Sequence, residues 1–316
     1  MPTSLGNTLL IANPTAQRGN GARATEIACN LFRQWLGEES FAVARTKRAK
    51  HAVGIAAQAS EFDTVIALGG DGIVHEVING LMRISDHMRP LFGLIPVGSG
   101  NDYARTLGMA ENVPDAIVQL LDAREERFDV GCCNDEFFAE TLSFGLDAAI
   151  ALDTVERRKR TGEQGTILYL KSGIDQLLHH LDSYEFTAMF DGAALDGAST
   201  REVRGAMHML AIQVGPTYGG GFRICPEADP RDGLLDICYA DAPMSVAEAT
   251  FKFLRAKNAH HTKFKNIHFE RATRIELSFD KRPPCQIDGE AFIADSYRIS
   301  IVPSALRVLT ATRHGV

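Results

Sequence analysis

A run of apolar residues passes directly into a glycine-rich turn and then into a helical pattern. Residues 63–68 (DTVIAL) are typical of a buried strand, Gly69-Gly70-Asp71-Gly72 follow at once, and residues 73–82 have helical spacing. The same alternation surrounds this segment, with strand patterns at residues 8–12, 41–45 and 91–96 and helical patterns at residues 22–36 and 51–59. Strands that alternate with helices predict a parallel sheet covered by helices on both faces.

The turn Gly69-Gly70-Asp71-Gly72 is chemically suited to a phosphate. Glycine lets the backbone approach an anion closely, and the helix start behind it offers free N–H groups and the positive end of a dipole. Asp71 would repel a bare phosphate, so we expect a cation between them, with Mg²⁺ the natural choice. A tight strand-to-helix turn with an aspartate cap explains the same residues, and the turn alone leaves both interpretations open.

Two further loops follow strands of the same predicted sheet. Residues 96–102 (PVGSGND) follow the strand at 91–96, with Asn101-Asp102 predicted to cap a short helix, and residues 13–19 follow the first strand. Ligands of parallel sheets bind beyond the carboxyl ends of the strands, so these loops can enclose one ligand together. The chain has neither a Walker A loop nor a Rossmann G-x-G-x-x-G, which disfavours ordinary P-loop or dinucleotide chemistry.

The pattern changes after about residue 125. We expect paired strands at 127–133 and 137–144 around Asn134-Asp135, then a mainly helical insertion at 147–181. Further strands are predicted at residues 184–190, 206–214, 234–239, 274–279 and 284–287, with one helix at 246–256. This half is typical of an antiparallel sandwich. The expected domains are therefore residues 1–126 and 127–303, and a C-terminal strand at about 304–316 could return to the first.

Composition limits the function classes. The net charge of -7 and the pI of about 5.8 disfavour a nucleic-acid binder. The six cysteines form no C-x-x-C pair, which favours reduced thiols in a cytoplasm and argues against structural zinc. The opening residues lack the pattern of a targeting segment, and no run of about 18 apolar residues predicts a membrane-spanning helix, so we expect any membrane contact to be peripheral.

Several motifs together resemble the diacylglycerol kinase catalytic-domain family, in the branch of bacterial lipid kinases of the YegS type. In the first half they are Asn13-Pro14-Thr15, GGDGIVHEVING at 69–80 and PVGSGNDYAR at 96–105; in the second half they are GGGFRI at 219–224, PEAD at 226–229, DGLLD at 232–236 and IDGE at 287–290. The matches span most of the chain in the family's order. The resemblance implies a Rossmann-like α/β nucleotide domain followed by an antiparallel β-sandwich domain, and Mg²⁺- and ATP-dependent phosphorylation of a lipid such as diacylglycerol in phospholipid metabolism.

The resemblance also implies roles for individual residues. Glu290 matches the general base, with Asp71 and Asp288 in the catalytic group and Asp102 and Asp129 in a supporting acidic network. A structural Mg²⁺ would be held by Asp229, Asp232 and the carbonyl of Leu234. ATP would contact Asn13, Pro14, Thr15, Ala16, Gln17, Thr46, Gly70, Asp71, Gly72, Ile73, Val74, His75, Glu76 and Ser99. Asp288-Gly289 and Asp232-Gly233 are also good turn dipeptides, so hairpins explain them without catalysis.

Two positions depart from the family's pattern. Ile73 stands where the family usually has threonine, which removes a hydroxyl that could touch phosphate, and Gln17 stands where glycine is usual. Neither change removes a charged catalytic group. The preference for ATP over another nucleoside triphosphate is therefore less firmly implied than the reaction type.

The basic run Arg157-Arg158-Lys159-Arg160 precedes an apolar helical stretch at 167–178, which suits docking on an anionic membrane. An ordinary helix packed on the sandwich explains the same pattern. Two other functions stay open: a kinase of a sphingoid or a soluble alcohol, as in NAD kinases, and a nucleotide-gated lipid-binding protein without catalysis. An exposed sheet edge could support a homodimer.

Overall fold

The computed structural model describes residues 5–163, 166–192 and 200–312. The chain forms two compact units: unit 1 comprises Met1–Phe128 with Ser304–Val316, and unit 2 comprises Asp129–Pro303. The domains expected from the sequence are residues 1–126 and 127–303, with a C-terminal strand at about 304–316 that returns to the first domain.

Unit 1 is built around a parallel sheet with the order β4-β3-β1-β2. Its elements are β1 (Thr8–Ala12), α1 (Ala16–Leu36), β2 (Phe41–Arg45), α2 (His51–Ala56), β3 (Thr64–Gly69), α3 (Asp71–Leu81), β4 (Leu91–Pro96), α4 (Asp102–Leu107) and α5 (Val113–Leu121), with 3₁₀ turns at Glu38–Ser40 and Asp86–Met88. Every residue of β1, β3 and β4 is buried, because helices cover both faces of the sheet.

Unit 2 is dominated by antiparallel strands. From the end of unit 1 onward the elements are β5 (Arg124–Cys133), β6 (Glu136–Phe138), β7 (Thr141–Gly145), α6 (Leu146–Thr161), α7 (Thr166–His179), β8 (Tyr184–Asp191), β9 (Arg201–Gln213), β10 (Leu235–Asp241), α8 (Val246–Ala256), β11 (Ile267–Ala272), β12 (Arg274–Phe279), β13 (Cys285–Ile287), β14 (Glu290–Ala291) and β15 (Tyr297–Thr310), with a 3₁₀ turn at His260–Lys263. The strand β5 begins in unit 1 and ends in unit 2. The strand β15 begins in unit 2 and ends in unit 1, where Val308 lies parallel to Phe92 of β4.

The long strand β9 organises unit 2. Its first half pairs with β8, and its second half pairs with β7 on one side and β10 on the other. One apolar core contains Phe138, Phe144 and Phe190, and a second contains Ile150, Tyr169 and Phe222 between the strands and helices α6 to α8. The predicted class, an α/β nucleotide-type domain followed by an antiparallel β-sandwich-like domain, is confirmed.

Some element predictions were wrong. Residues 137–144 do not form one strand, because the backbone N–H groups of Ala139, Glu140 and Thr141 donate to the Asp288 carboxylate. The segment is divided there into β6, which pairs with β5, and β7, which pairs with β9 and β13. The strand β11 was missed, since its sequence IHFERA mixes charged with apolar residues. The six cysteines are all free thiols, as expected.

Candidate active site

The loops predicted to hold a nucleotide start side by side at the carboxyl edge of the sheet in unit 1. Ala12, Leu68 and Ile95 are in register across β1, β3 and β4. Beyond them the ladder continues for one more residue, with Asn13 N donating to Leu68 O at 3.0 Å and Val97 N donating to Gly69 O at 2.7 Å. Neighbouring strands therefore bring the starts of the three loops to the same edge of the sheet. We name these loops the first loop (13–19), the second loop (69–72) and the third loop (96–102).

The second and third loops are packed backbone to backbone. A Cβ added at Gly98 would lie 2.5 Å from the Cα of Gly70, and one added at Gly100 would lie 2.6 Å from Oδ2 of Asp71. Real Cβ atoms do not approach other atoms so closely, so both positions need glycine for the loops to meet. The glycines that the sequence places in these loops thus allow the second and third loops to come into direct contact.

Asp71 fastens the third loop to the second. Its Oδ2 accepts a hydrogen bond from Asn101 N at 2.9 Å and its Oδ1 accepts one from Asp102 N at 3.0 Å. Burial, followed by the nearby charge of Asp102, raises the pKa of the Asp71 carboxyl from 3.8 to about 6. Asp102 itself is buried and forms an ion pair with Arg105 at 2.9 Å. Two acidic side chains thus share a small space, which favours a cation or a proton beside them.

The predicted cap of α4 is only half right. Asn101 occupies the N-cap position, but it has left-handed backbone angles (φ 54°) and its side chain makes no capping hydrogen bond. Its Nδ2 donates instead to Gly98 O at 3.0 Å. The helix start is satisfied by Asp71, which lies 30 residues earlier in the chain.

Other predicted nucleotide contacts have clear structural partners. Asn13 Oδ1 accepts from both the backbone N–H and the hydroxyl of Thr15, and the Gln17 side-chain amide donates to Gly98 O at 2.5 Å. Glu76 accepts backbone N–H groups of Lys50 and Ala52, so its carboxylate caps the start of α2.

The helix α3 buries Ile73, Val74 and His75. The Ile73 side chain is only 5% exposed, and its methyl group Cγ2 packs against Gly69. The remaining predicted contacts are partly or fully exposed around the loops: Pro14, Thr15, Ala16, Thr46, Gly70, Gly72 and Ser99.

In unit 2, Asp288-Gly289 forms the turn of the hairpin between β13 and β14. Both residues have positive φ (46° and 87°), and Ile287 pairs with Glu290 across the turn. The Asp288 carboxylate accepts the three N–H groups of residues 139–141 at 2.9–3.0 Å. Glu290 follows at the start of β14 with its side chain exposed to solvent. The hairpin pairing and the Asp288 hydrogen bonds together fix the backbone at Glu290.

The other acidic residues of unit 2 lie around the segment 229–234. Buried Asp129 accepts Gly233 N at 2.7 Å, Asp232 accepts Leu234 N at 3.0 Å, and Asp229 pairs with Arg231 at 2.7 Å. Over the described ranges, no cluster of three or more His, Cys, Asp or Glu side chains is arranged to hold a metal. The oxygen donors of Asp229, Asp232 and the Leu234 carbonyl nevertheless fit a hard cation in chemical type.

The sequence interpretation missed an apolar cavity inside unit 2. Its volume is about 60 Å³, and its lining includes Ile150, Met209, Phe222, Phe253 and Ile267. Buried Asp147 also lines it and accepts the hydroxyl of Tyr169 at 3.3 Å. Burial raises the pKa of Asp147.

Helix α7 has both a buried and an exposed apolar face. Leu168 and Leu177 are buried, whereas Ile167 is 70% exposed and Leu178 58% exposed. In the basic run, Arg157 pairs with Asp153 and Asp175 at 2.7 and 2.5 Å, while Lys159 and Arg160 are exposed. Part of this segment is thus an ordinary packed helix, and another part leaves apolar and basic side chains exposed. None of the described helices is long and apolar enough to cross a membrane.

Comparison with known proteins gives consistent results along the chain. Residues 7–133 match the family model of the diacylglycerol kinase catalytic domain, and residues 140–310 match the YegS C-terminal NAD kinase beta sandwich-like domain. A diacylglycerol kinase of Mycobacterium tuberculosis is 30% identical over 322 residues, covering 98% of this chain and 97% of that protein. A diacylglycerol kinase of Bacillus subtilis is 25% identical, covering 89% and 88%.

A solved structure of a diacylglycerol kinase from Bacillus anthracis has a similar fold. Its TM-score is 0.78 at 21% identity, and the match covers 98% of each chain.

Proposed function

Because this chain belongs to the diacylglycerol kinase catalytic-domain family, we propose that it is a kinase that transfers the γ-phosphate of ATP to the hydroxyl of a lipid, with diacylglycerol as the first candidate. The observation that carries the proposal is the meeting of three strand-end loops at one sheet edge, with the backbones of Gly70 and Gly98 in contact. Loops of this kind bind phosphates through backbone N–H groups and a helix start.

The nucleotide is proposed to lie on the three loops of unit 1, with Thr46 beside them. Asp71 and Asp102 would hold Mg²⁺, which neutralises phosphate charge when bound. The raised pKa of Asp71 supports this assignment, since two close carboxylates are stabilised by a cation. Asp229, Asp232 and the Leu234 carbonyl would hold a further, structural Mg²⁺.

Glu290 is proposed as the general base. Its carboxylate would accept the proton of the lipid hydroxyl while that oxygen forms a bond to the γ-phosphorus and the bond from phosphorus to ADP breaks. The exposed position of Glu290 at the start of β14, next to a turn fixed by Asp288, supports this role. Asp288 is then a positioning residue, because its carboxylate already accepts three backbone N–H groups.

The lipid is proposed to interact with unit 2. The apolar cavity under α8 can take part of an acyl chain. Exposed Ile167 and Leu178 on α7, together with the exposed charges of Lys159 and Arg160 on α6, suit a peripheral contact with an anionic membrane. The product, a phosphorylated lipid, would enter phospholipid metabolism.

A transfer assay tests the proposal. The protein is incubated with γ-labelled ATP, Mg²⁺ and a panel of diacylglycerol, sphingoid bases and NAD. Label in an organic-soluble product, reduced about 10²- to 10⁴-fold by Glu290→Gln with unchanged ATP affinity, is the expected result. The matched control is Glu276→Gln, which changes an exposed glutamate on β12.

Other outcomes discriminate the alternatives. Label confined to the aqueous phase would replace the lipid with a soluble alcohol as the acceptor. ATP binding without transfer to any acceptor would favour a nucleotide-gated lipid-binding protein. Full activity of Glu290→Gln would remove Glu290 as the base while leaving the kinase assignment in place.

A further inference from the structure

We propose that Gln17 is a positioning residue of the nucleotide site, whose side-chain amide ties the first loop to the third loop and holds both ready for ATP; this inference rests on the proposed function. Gln17 Nε2 donates to Gly98 O at 2.5 Å, and the two residues are 81 positions apart in the chain. The Cα of Gly98 lies against Gly70. Gln17 therefore completes a line of contacts that runs across all three loops.

The backbone around Gln17 is in a conformation that needs external support. Gln17 (φ 44°, ψ 50°), Arg18 (φ 58°, ψ 38°) and Gly19 (φ 95°, ψ -4°) are three consecutive residues with positive φ near the start of α1. L-residues other than asparagine and aspartate rarely adopt this region, and they stay there only where surrounding contacts fix them. The hydrogen bond to Gly98 is such a contact, because it joins the strained turn to a separate segment of the chain.

The glutamine itself adds something that a glycine could not. A glycine at this position would adopt the turn without strain but would carry no amide to reach Gly98. The Asn20 Nδ2 group donates to Gln17 Oε1 at 3.2 Å, which orients the amide so that its NH₂ faces Gly98. The Gly98 carbonyl also accepts Asn101 Nδ2 at 3.0 Å. One carbonyl of the third loop is thus held from two sides.

The expected consequence is tighter nucleotide binding. Loops that are already fixed lose less conformational freedom when a ligand orders them, so removal of the tie weakens affinity more than it slows the chemical step. One hydrogen bond of this kind corresponds to a change of about fivefold to tenfold in the dissociation constant.

Three substitutions separate the amide from the backbone shape. Gln17→Glu keeps the side-chain length but removes the donor. Gln17→Asn keeps an amide and tolerates positive φ better, but it is one methylene too short to reach Gly98. Gln17→Gly relieves the backbone and removes the amide. The full chain is titrated calorimetrically with a non-hydrolysable ATP analogue and Mg²⁺, and KM and kcat are measured for ATP. Asn30→Ala, on the exposed face of the same helix, is the control.

All three variants are expected to bind the analogue about fivefold to tenfold more weakly, with a raised KM for ATP and a kcat within about twofold of the unaltered protein. Wild-type affinity in Gln17→Asn and Gln17→Gly would overturn the inference, because the backbone shape alone would then suffice. A lower melting temperature with unchanged affinity would also overturn it, since the role would be purely structural. Failure of the unaltered protein to bind the analogue would instead sink the proposed function.

Discussion

In each of the two units a buried strand leads into a turn that contains an Asp-Gly pair, and the two turns have different roles. In unit 1, Asp71-Gly72 follows a parallel strand and opens a helix, and the Asp71 carboxylate accepts the N–H groups of Asn101 and Asp102. In unit 2, Asp288-Gly289 reverses the chain in a hairpin, and the Asp288 carboxylate accepts three N–H groups of residues 139–141. In both units the acidic residue of the motif fastens a segment far away in the sequence.

The difference lies in what surrounds each carboxylate. Asp71 has the acidic Asp102 as a close neighbour, and its pKa is raised to about 6. The Asp288 carboxylate accepts the N–H groups of residues 139–141, and Glu290 follows it by two residues. We infer that the turn of unit 1 responds to protons and cations, whereas the turn of unit 2 is a fixed support for Glu290. The predictions below test that contrast.

The largest effect is expected from Asp288→Ala. It leaves the N–H groups of Ala139, Glu140 and Thr141 without their acceptor, which should destabilise unit 2 by about 2–4 kcal/mol and lower transfer activity as the hairpin loosens. Thermal and urea unfolding measure the loss. Asp288→Asn keeps one acceptor oxygen, so its stability should lie between that of the unaltered protein and that of Asp288→Ala. A melting temperature equal to that of the unaltered protein would show that the turn needs no fastening.

Asp71 should make unit 1 sensitive to pH. Because the folded-state pKa is raised from 3.8 to about 6, its neutral form contributes stability that is fully present below pH 3.8 and is lost as pH rises through 6. Mg²⁺ needs the ionised form, so affinity for Mg·ATP should fall by up to about tenfold per pH unit below 6.

Asp71→Asn is the variant that checks this pH dependence. Calorimetric titration of Mg·ATP between pH 5 and 8 should show the slope in the unaltered protein and its disappearance in the variant. Equal slopes in the two proteins would assign the pH dependence to another group.

A smaller effect is expected from the exposed charges of α6. Lys159→Gln with Arg160→Gln should weaken sedimentation with anionic vesicles about fivefold for each charge, since each basic residue near such a surface contributes about 1 kcal/mol. Arg274→Gln with Lys281→Gln makes the same change of net charge at other exposed positions of unit 2. If both double substitutions weaken sedimentation equally, the contact with the vesicle is electrostatic but not localised at α6. If neither double substitution changes sedimentation, these charges do not take part in the contact.

The smallest effect is expected from filling the cavity of unit 2. Buried Ala249 lines it, so Ala249→Leu should raise KM for a long-chain lipid about threefold while KM for ATP stays unchanged. Ala247→Leu adds the same volume on the exposed side of α8 and serves as the control. An equal change in both variants, or a change in KM for ATP, would remove the cavity from lipid binding.

The sequence predicted local structure well wherever the pattern of burial is itself local. The bounds of β1, β2 and β4 agree with their predicted ranges. The reason is that the run or alternation of apolar residues in a strand directly reflects which of its side chains are buried. The predictions were weaker where pairing decides the outcome. The break between β6 and β7 depends on Asp288, and the charged strand β11 forms by pairing with β10.

The sequence by itself determined the two-part architecture, the three glycine-bearing loops and the residue types placed on them, since periodicity and glycine positions follow from each segment's own residues. Only the tertiary structure decided how those residues are used. Asp71 caps a helix that begins 31 residues later, Gln17 reaches Gly98 across 81 positions, and Asp288 holds amides 147–149 positions away. The physical reason is that a hydrogen bond depends on distance in space, and the partners lie far apart along the chain until the sheets have formed.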